Sequence, residues 1–304
     1  SPDADVGGGD VKVGLISRGV EYDLSDGEAY RMLDIDGIAH AATSRLTERG
    51  PMQQGETDLG YRLQPRRILL ALLARGGDEA AWLARREELM RILRASDRAL
   101  ALRLRSGDVV RQIDCYLTGE MSMVQEGGVM PRWQRVGLQL YCPDPTWYDP
   151  TGVAEIFALG AGGQAMDVPL AIPWQVGAST IDTTRQVVYP GSWDAWPVVT
   201  VIGPITDCVI TNDTMGDKLD FTGTTIGAGD SYVIDGRYGY KTVTRNSDGA
   251  NRVQDLTADS NLATFRVGAH PDVLDGLNVF RVQGTGCNAA TQVTLRFYVR
   301  YVGV

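Results

Sequence analysis

Residues 66–92 read RRILLALLARGGDEAAWLARREELMRI, an apolar strand followed by a helical segment. The run 68–74 is continuously apolar and lies between Pro65 and Gly76, which favours a strand covered on both faces. Gly76 and the glycine that follows it end this strand. A strand that leads directly into a helix predicts a layered fold in which the helix packs on a sheet.

The segment after the glycines has the pattern of an amphipathic helix of about 18 residues. Asp78 is its candidate N-cap. Trp82, Leu89 and Leu93 fall on one stripe at helical spacing. Two further apolar side chains adjoin the stripe, Leu83 and Met90. Charged residues occupy the remaining surface, namely Arg85, Arg86, Glu87, Arg91 and Arg94.

Alternating apolar residues after the helix predict half-buried strands. The pattern occurs twice, at Leu100, Leu102 and Leu104 and again at Val136, Leu138 and Leu140. Strands, one helix and strands again predict an α+β first domain with one packed helix.

A change of composition near residue 150 predicts a domain boundary. Residues 1–150 hold nine glutamates, whereas 151–304 hold only Glu155 among many turn-forming Asp, Asn and Gly residues. Three prolines within 143–150 interrupt any helix or central strand, as in a stiff linker. We therefore predict two domains, 1–150 and 151–304.

The second half has the pattern of a β-sandwich. Residues 198–202 are all β-branched, and an apolar segment at 232–234 follows the turn 227–230. At the C-terminus one set of side chains is expected to face one way, Leu295, Phe297, Val299 and Tyr301. The alternate set is expected to face the other way, Thr294, Arg296, Tyr298 and Arg300. Short strands separated by Gly, Asp and Asn turns make the expected fold class mainly β.

The residues that most enzymes and metal sites need are scarce. His40 and His270 are the only histidines, and neither has the spacing of a metal-ligand pair. No GxSxG motif occurs. Four cysteines lie far apart without a CxxC and are expected to be reduced, buried thiols: Cys115, Cys142, Cys208 and Cys287. We predict no catalytic residue, no bound cofactor and no metal site, hence a protein that is not an enzyme.

Three patterns resemble binding sites, and each has a simpler interpretation. Residues 159–164 resemble a phosphate loop but lack its Lys-Ser/Thr, so an interdomain connection is favoured. Asp213, Asp217 and Asp220 around Gly216 suggest calcium, but the spacing favours a turn between strands. Four aromatic residues form either a sugar-stacking platform or part of a core or interface, Trp193, Trp196, Tyr238 and Tyr240.

Charge and hydropathy limit the partners of the chain. A net charge of -9 argues against sequence-specific binding of nucleic acid. No apolar run approaches the length of a membrane span, so no membrane insertion is expected, and 1–10 lacks the features of a secretory signal. Residues 1–60 sum to -7 and 61–105 to +6, which suggests pairing between neighbouring subunits or, more simply, solvated faces.

An ordered series of motifs resembles the distal tail protein (Dit) family of siphoviruses. In the first half these are the "PR-I-apolar" strand at 63–70, the helix, the strand pair after it and the Cys-Pro-Asp-Pro segment at 142–145. In the second half they are "P-apolar-G" at 197–203, "I-x-N" at 210–212, "aGd-x-apolar-D" at 229–235 and "L-x-x-G-x-N" at 274–278. Asp275 stands where the family often has proline.

The resemblance implies a structural virion protein at the tail tip, assembled in the host cytoplasm. Family members form a homo-oligomer, a hexameric ring, that joins the tail tube protein to the tail-tip hub or baseplate protein around a channel for DNA. Their C-terminal domains are galectin-like β-sandwiches that in some phages hold a receptor-binding protein. Two alternatives remain: a host-attachment module that binds a host glycan, and a neighbouring tail or baseplate protein of a tail-derived particle.

Overall fold

The computed structural model describes residues 11–94, 98–124, 133–158 and 179–304. Contacts divide the chain into two units, Ser1–Pro150 with Tyr301–Val304, and Thr151–Arg300. The domain prediction from the sequence included residues 301–304 in the second domain, whereas their contacts assign them to the first unit. Nearly all regular structure is strand, which confirms the prediction of a mainly β fold.

The first unit contains eleven complete strands and one helix among its described residues. In chain order they are β1 Lys12–Ser17, β2 Val20–Asp23, β3 Tyr30–Asp36, β4 Thr43–Glu48, β5 Thr57–Leu63, β6 Arg66–Arg75, α1 Glu79–Ile92, β7 Leu100–Ser106, β8 Val109–Leu117, β9 Ser122–Val124, β10 Trp133–Cys142 and β11 Trp147–Tyr148. The main sheet has the order β2-β1-β7-β8-β10-β6-β3, with β9 on β10 and β11 on β8. Strands β4 and β5 form a separate hairpin.

Helix α1 begins as the sequence predicts. Asp78 accepts a 2.7 Å hydrogen bond from the Ala81 N–H, and the side chains of Trp82, Leu89 and Leu93 are buried. The helix has 14 residues, fewer than expected, because regular α-helical geometry ends at Ile92 and Leu93 forms the C-cap.

The two apolar residues predicted beside the stripe of α1 are partly exposed. Leu83 and Met90 are each 43% exposed, because they lie beside the narrow face that meets the sheet. On the strands, the predicted alternation is confirmed: the side chains buried in the same core as the helix include Leu100, Leu102, Leu104, Val136, Leu138 and Leu140.

Strand β6 differs from the prediction of a strand covered on both faces. Ile68, Leu70 and Leu72 are buried, whereas Leu69 is 49% exposed. The inner side chains meet the core, and no layer within the described part of the chain covers Leu69 on the outer face. The continuous apolar run of β6 therefore has one buried face and one partly exposed face among the described residues.

A buried arginine joins four segments of the first unit. The Arg66 guanidinium donates hydrogen bonds to the carbonyl oxygens of Gly37 (2.7 Å), Ala39 (2.5 Å), Pro145 (2.9 Å) and Val302 (2.6 Å). The residue is 4% exposed, and burial lowers the pKa of its side chain. Arg66 thereby connects the β3–β4 loop, the proline-rich linker and the C-terminal tail.

The second unit contains two facing sheets. Its strands are β12 Val153–Ala158, β13 Ser179–Val188, β14 Val198–Ile202, β15 Ile205–Asn212, β16 Asp217–Asp220, β17 Thr225–Ile226, β18 Ser231–Asp235, β19 Thr242–Arg245, β20 Leu277–Cys287 and β21 Gln292–Phe297, with β22 Arg300–Tyr301 returning to β11. One sheet has the order β12-β21-β14-β18-β19, and the other β13-β20-β15-β16 with β17 on β15.

Buried side chains from both sheets form one core, as the sandwich prediction requires. They include Val199, Val201, Ile234 and Leu295 from the first sheet and Ile210, Phe280 and Val282 from the second. The Phe221 and Tyr232 rings meet edge to face at 6.0 Å. Two short 3₁₀ helices, Val253–Asp255 and Leu274–Gly276, lie in the connections.

The predicted alternation at the C-terminus holds for most positions. Leu295, Phe297 and Val299 are buried. Thr294, on the opposite face of the strand, is also buried, and β21 lies between β12 and β14. Tyr301 is half-buried and belongs to β22 rather than to β21.

Two asparagines from the "I-x-N" and "L-x-x-G-x-N" motifs meet in the core of the second unit. Asn212 and Asn278 are fully buried, and the Asn212 Nδ2 donates to Asn278 Oδ1 at 3.1 Å. Asn278 also accepts from the Gly268 N–H and donates to the Gly268 carbonyl, both at 2.8 Å. The Asn278 side chain therefore supplies hydrogen-bond partners to the backbone of Gly268, which lies outside the regular strands.

We expect Arg66→Lys to lower the free energy of unfolding by about 3 kcal/mol, because a single ammonium group cannot reach four carbonyl oxygens and those left unpaired cost about 1–3 kcal/mol each. The neighbouring Arg67 is exposed, so Arg67→Lys serves as the control and should change stability by less than about 0.5 kcal/mol. Denaturant titration measures both variants. Equal stabilities would contradict the assigned role of Arg66.

We expect Asn278→Leu, which keeps the volume but removes the amide, to destabilise the second unit by about 3 kcal/mol. Asn246 is exposed and Asn246→Leu is the matched control. Calorimetry should show a lowered transition for Asn278→Leu only. An unchanged transition would mean that the buried amide network is dispensable.

Candidate assembly interface

The outer face of β6 is the most apolar uncovered strand face of the first unit's described residues. We define it as Arg67, Leu69, Ala71, Leu73 and Arg75, the alternate residues of the strand. Two arginines thus enclose three apolar side chains on a face that contributes nothing to the core of its own chain.

The neighbouring strands leave this face open. Ala71 lies between Gly137 of β10 and Asp34 of β3, and Leu69 lies between Gln139 and Asp36. Glycine at the central position leaves a shallow groove of about 350 Å³ over Leu69 and Ala71. The groove therefore follows the strand with an apolar floor and polar edges.

An irregularity in β3 adds a second leucine to this edge of the sheet. The pairing of β3 with β6 shifts register between Met32 and Asp34. Leu33 is the extra residue and is 45% exposed. A bulge of this kind redirects a side chain and disrupts the regular edge of a sheet.

The β4–β5 hairpin carries a second set of exposed apolar side chains. Its strands pair only with each other. Met52 in its turn is 99% exposed, Leu59 is 59% exposed and Tyr61 is 51% exposed. A two-stranded hairpin is marginally stable in water by itself, and these side chains give it an exposed apolar surface.

The acidic segment 1–60 and the basic segment 61–105 suggested charge pairing between subunits. Some of these charges instead pair within the chain. Glu21 of β2 forms ion pairs with Arg103 (2.7 Å) and Arg105 (2.6 Å) of β7. On α1, Arg85 pairs with Glu88 at 2.9 Å. These arginines therefore stabilise the fold of the first unit and are less available to a neighbour.

Glu88 has a further role in fixing the helix. The Tyr30 hydroxyl donates to Glu88 Oε2 at 3.2 Å, and Tyr30 itself is buried beneath the helix. Burial, with the negative charge of Glu88, raises the pKa of Tyr30. The hydroxyl therefore remains a donor across the ordinary pH range.

Of the four aromatic residues that suggested a sugar platform, the structure brings Trp196 and Tyr238 into ring contact. The backbone of Trp193 is held elsewhere: its N–H donates to the Arg300 carbonyl at 3.2 Å, and its carbonyl accepts from the Tyr189 hydroxyl at 2.7 Å. Trp196 and Tyr238 are in contact, with ring centroids 4.4 Å apart. Tyr240 lies beneath the Arg237 guanidinium at 4.6 Å.

The aspartates around Gly216 have structural partners. Residues 213–216 form the turn between β15 and β16, as predicted, and Gly216 has a φ of 72°. Asp217 accepts from the Thr264 hydroxyl, and Asp220 from the Thr222 hydroxyl. Their carboxylates thus anchor neighbouring segments.

All four cysteines are buried, as predicted. Burial raises the pKa of Cys208 to about 12, so its thiol stays protonated. Within the residues that the structure describes, no three His, Cys, Asp or Glu side chains come together as a metal site would need. The segment 159–164 lies outside the described residues.

No helix in the described ranges is both long enough and apolar enough to cross a membrane.

The sequence did not reveal the open outer face of β6, because a continuous apolar run is compatible with either one or two covered faces. One signal was present. Arg67 and Arg75 are in phase with Leu69 and Leu73, and charged residues at both ends of one face favour an exposed or contact-forming face.

Comparison with known proteins gives a structural likeness only. No family model matches the sequence, and no curated protein matches it. The crystal structure of the Dit protein of phage SPP1, described as a paradigm of the hub adsorption apparatus in phages that infect Gram-positive bacteria, matches with a TM-score of 0.62 at 13% identity. The match covers 95% of this chain and 98% of that one.

Two structures of the phage P2 baseplate in its activated conformation, with calcium and with strontium, match at TM-scores of 0.48 and 0.43, each at 10% identity. Each covers 94% of this chain and 97% of the matched chain. The likeness that carries weight is the first, since it extends over both units at the higher score. The chain therefore shares the fold of the Dit tail hub protein of phage SPP1.

Proposed function

We propose that this chain is a structural, non-catalytic subunit of the tail tip of a long-tailed phage. In this proposal, copies of the chain form a ring, a hexamer in the simplest case, between the tail tube and the tail-tip hub or baseplate. The fold shared with a phage tail hub protein supports this role. The ring would leave a central channel for DNA.

The observation that carries the proposal is the uncovered outer face of β6. Leu69 and Leu33 remain about half exposed although both lie on strands of a well-formed sheet. Burying a leucine completely stabilises by about 1.5–3 kcal/mol, so covering each of these with another chain gains about 1 kcal/mol. Contiguous apolar patches on a strand face indicate an interaction site.

A ring requires two different surfaces that fit each other on neighbouring copies. The outer face of β6 and the exposed side chains of the β4–β5 hairpin are two such surfaces on one unit. In our proposal the hairpin of one copy covers the β6 face of the next. Such a contact would stabilise a hairpin whose strands pair with no further strand among the described residues.

The acidic balance of the chain agrees with passage of DNA rather than with its capture. A protein that holds DNA neutralises many phosphates with Lys and Arg. This chain carries a net charge of -9, and several arginines of its first unit are paired with carboxylates. A channel with this composition would let the polyanion slide without strong binding.

We expect Leu69→Asp to convert the oligomer into monomers, because a carboxylate on the outer face of β6 would have to be desolvated in the contact. Light scattering coupled to size exclusion measures the mass. The control is Val188→Asp, at an apolar residue of the second unit that is 69% exposed, and its oligomer should be unchanged. Circular dichroism checks that both variants fold. An intact oligomer of Leu69→Asp would contradict the proposed contact.

A further inference from the structure

One end of the first sheet of the second unit collects aromatic and basic residues from separate segments. The strands are antiparallel, so β14 begins where β18 and β21 end: Val198 lies opposite Asp235 on one side and Arg296 on the other. Strand β12 also begins here, with Val153 opposite Phe297. Residues before, between and after these strands therefore meet at one place.

At this end of the sheet lies a cleft of about 420 Å³, which we call the aromatic cleft. Its lining includes Val153, Trp196, Val198, Arg237, Arg296 and Tyr298. A volume of this order is typical of small-ligand sites, which are about 300–1,000 Å³. A stable protein contact instead buries about 800 Å² on each partner, so the cleft fits a small ligand better than a folded protein.

Aromatic side chains at the cleft are partly exposed to solvent. Tyr298 is 45% exposed, and Tyr238, which packs on Trp196, is 68% exposed. Packing against Tyr238 fixes the Trp196 ring from one side. Gly152 has no side chain beside Tyr298: a Cβ at this position would lie 3.5 Å from the Tyr298 ring. The glycine thus keeps that part of the cleft open.

The two arginines that line the cleft differ in their partners. Arg237 forms a bidentate pair with Asp235, with N–O distances of 2.9 and 2.6 Å. This hydrogen bonding raises the pKa of Arg237; burial alone would raise the pKa of Asp235, but the bonds to Arg237 lower it. The charge of Arg237 is therefore compensated inside the protein.

Arg296 has no such compensation. It is exposed, and within the described part of the chain no carboxylate lies within ion-pair distance of its guanidinium. Its cross-strand neighbours are Ala154 and Val198, both apolar. The lining of the cleft contains no carboxylate. The cleft therefore combines stacking surfaces with the positive charge of Arg296. A second cation lies beside it: the Lys241 ammonium donates to the Ala263 carbonyl at 2.9 Å and is 6.0 Å from the centroid of the Trp196 ring.

We propose that the aromatic cleft binds an acidic saccharide, with the apolar face of a sugar ring against Trp196 or Tyr298 and an acidic substituent on Arg296. The choice of a saccharide rests on the proposed function, because a tail-tip protein meets sugar polymers at the surface of a cell. A single-stranded nucleic acid also stacks on aromatic rings, but it needs a row of cations along its backbone. Within the described residues, Arg296 and the Lys241 ammonium beside Trp196 are two separate cations and not such a row, which suits one acidic substituent on a sugar.

The test uses the full chain and three pairs of acidic and neutral probes: trigalacturonate with galactotriose, sialyllactose with lactose, and mannose 6-phosphate with mannose. Titration calorimetry at millimolar sugar should detect at least one acidic probe, bound about tenfold or more tightly than its neutral partner. Arg296→Gln should remove this preference, while Arg18→Gln, at an exposed arginine of the first unit, should leave it unchanged.

Two variants test the place of binding. Trp196→Ala removes a stacking surface, and Gly152→Leu fills the cleft while every aromatic and basic group stays present. Both should weaken binding by about tenfold or more. Failure to bind any probe, equal binding of acidic and neutral members, unchanged binding by Gly152→Leu, or tighter binding of a thymidine oligonucleotide would overturn the proposal.

Light scattering on the same samples separates this proposal from the ring. Both proposals are supported if rings persist in all four variants and sugar binding changes only in Arg296→Gln, Trp196→Ala and Gly152→Leu. If the chain binds sugar but stays monomeric, the proposed sugar site is supported and the proposed ring is contradicted.

Discussion

The buried guanidinium of Arg66 is the constraint on which the organisation of the first unit depends. One planar group with donors fixed in several directions reaches four carbonyl oxygens on segments far apart in sequence. These carbonyls lie outside the strand ladders and would otherwise be left without partners in a buried place. The Val302 contact also holds the end of the chain against the first unit, so the second unit is inserted between two segments of the first.

Strand β6, which begins at Arg66, has a different use on each of its faces. Its inner leucines contribute to the core with α1, and its outer leucines are not part of that core among the described residues. Apolar residues on the second face of such a strand add stability when another layer covers them. In the proposed ring a neighbouring copy supplies that layer, and the hairpin formed by β4 and β5 gains a partner in the same way.

The sequence predicted features that depend on local chemistry or on periodicity. Asp78 caps α1 because a carboxylate before a helix accepts from the first free N–H groups, and Trp82 is buried because it lies on the helical stripe. Features that depend on distant partners were not predictable. Nothing near Val302 indicates that it returns to Arg66, and nothing near Leu69 indicates whether a second layer exists. The contact of Trp196 with Tyr238 likewise arises only because antiparallel strands end together.

The central claim is that identical chains assemble through the outer face of β6. Electron cryomicroscopy of the purified full chain tests it most directly, because the same map gives the symmetry and the surroundings of Leu69. The account predicts a closed ring, six-fold in the simplest case, in which the Leu69 side chain is covered by a neighbouring copy. Monodisperse single chains, or a ring in which Leu69 faces solvent, would contradict it.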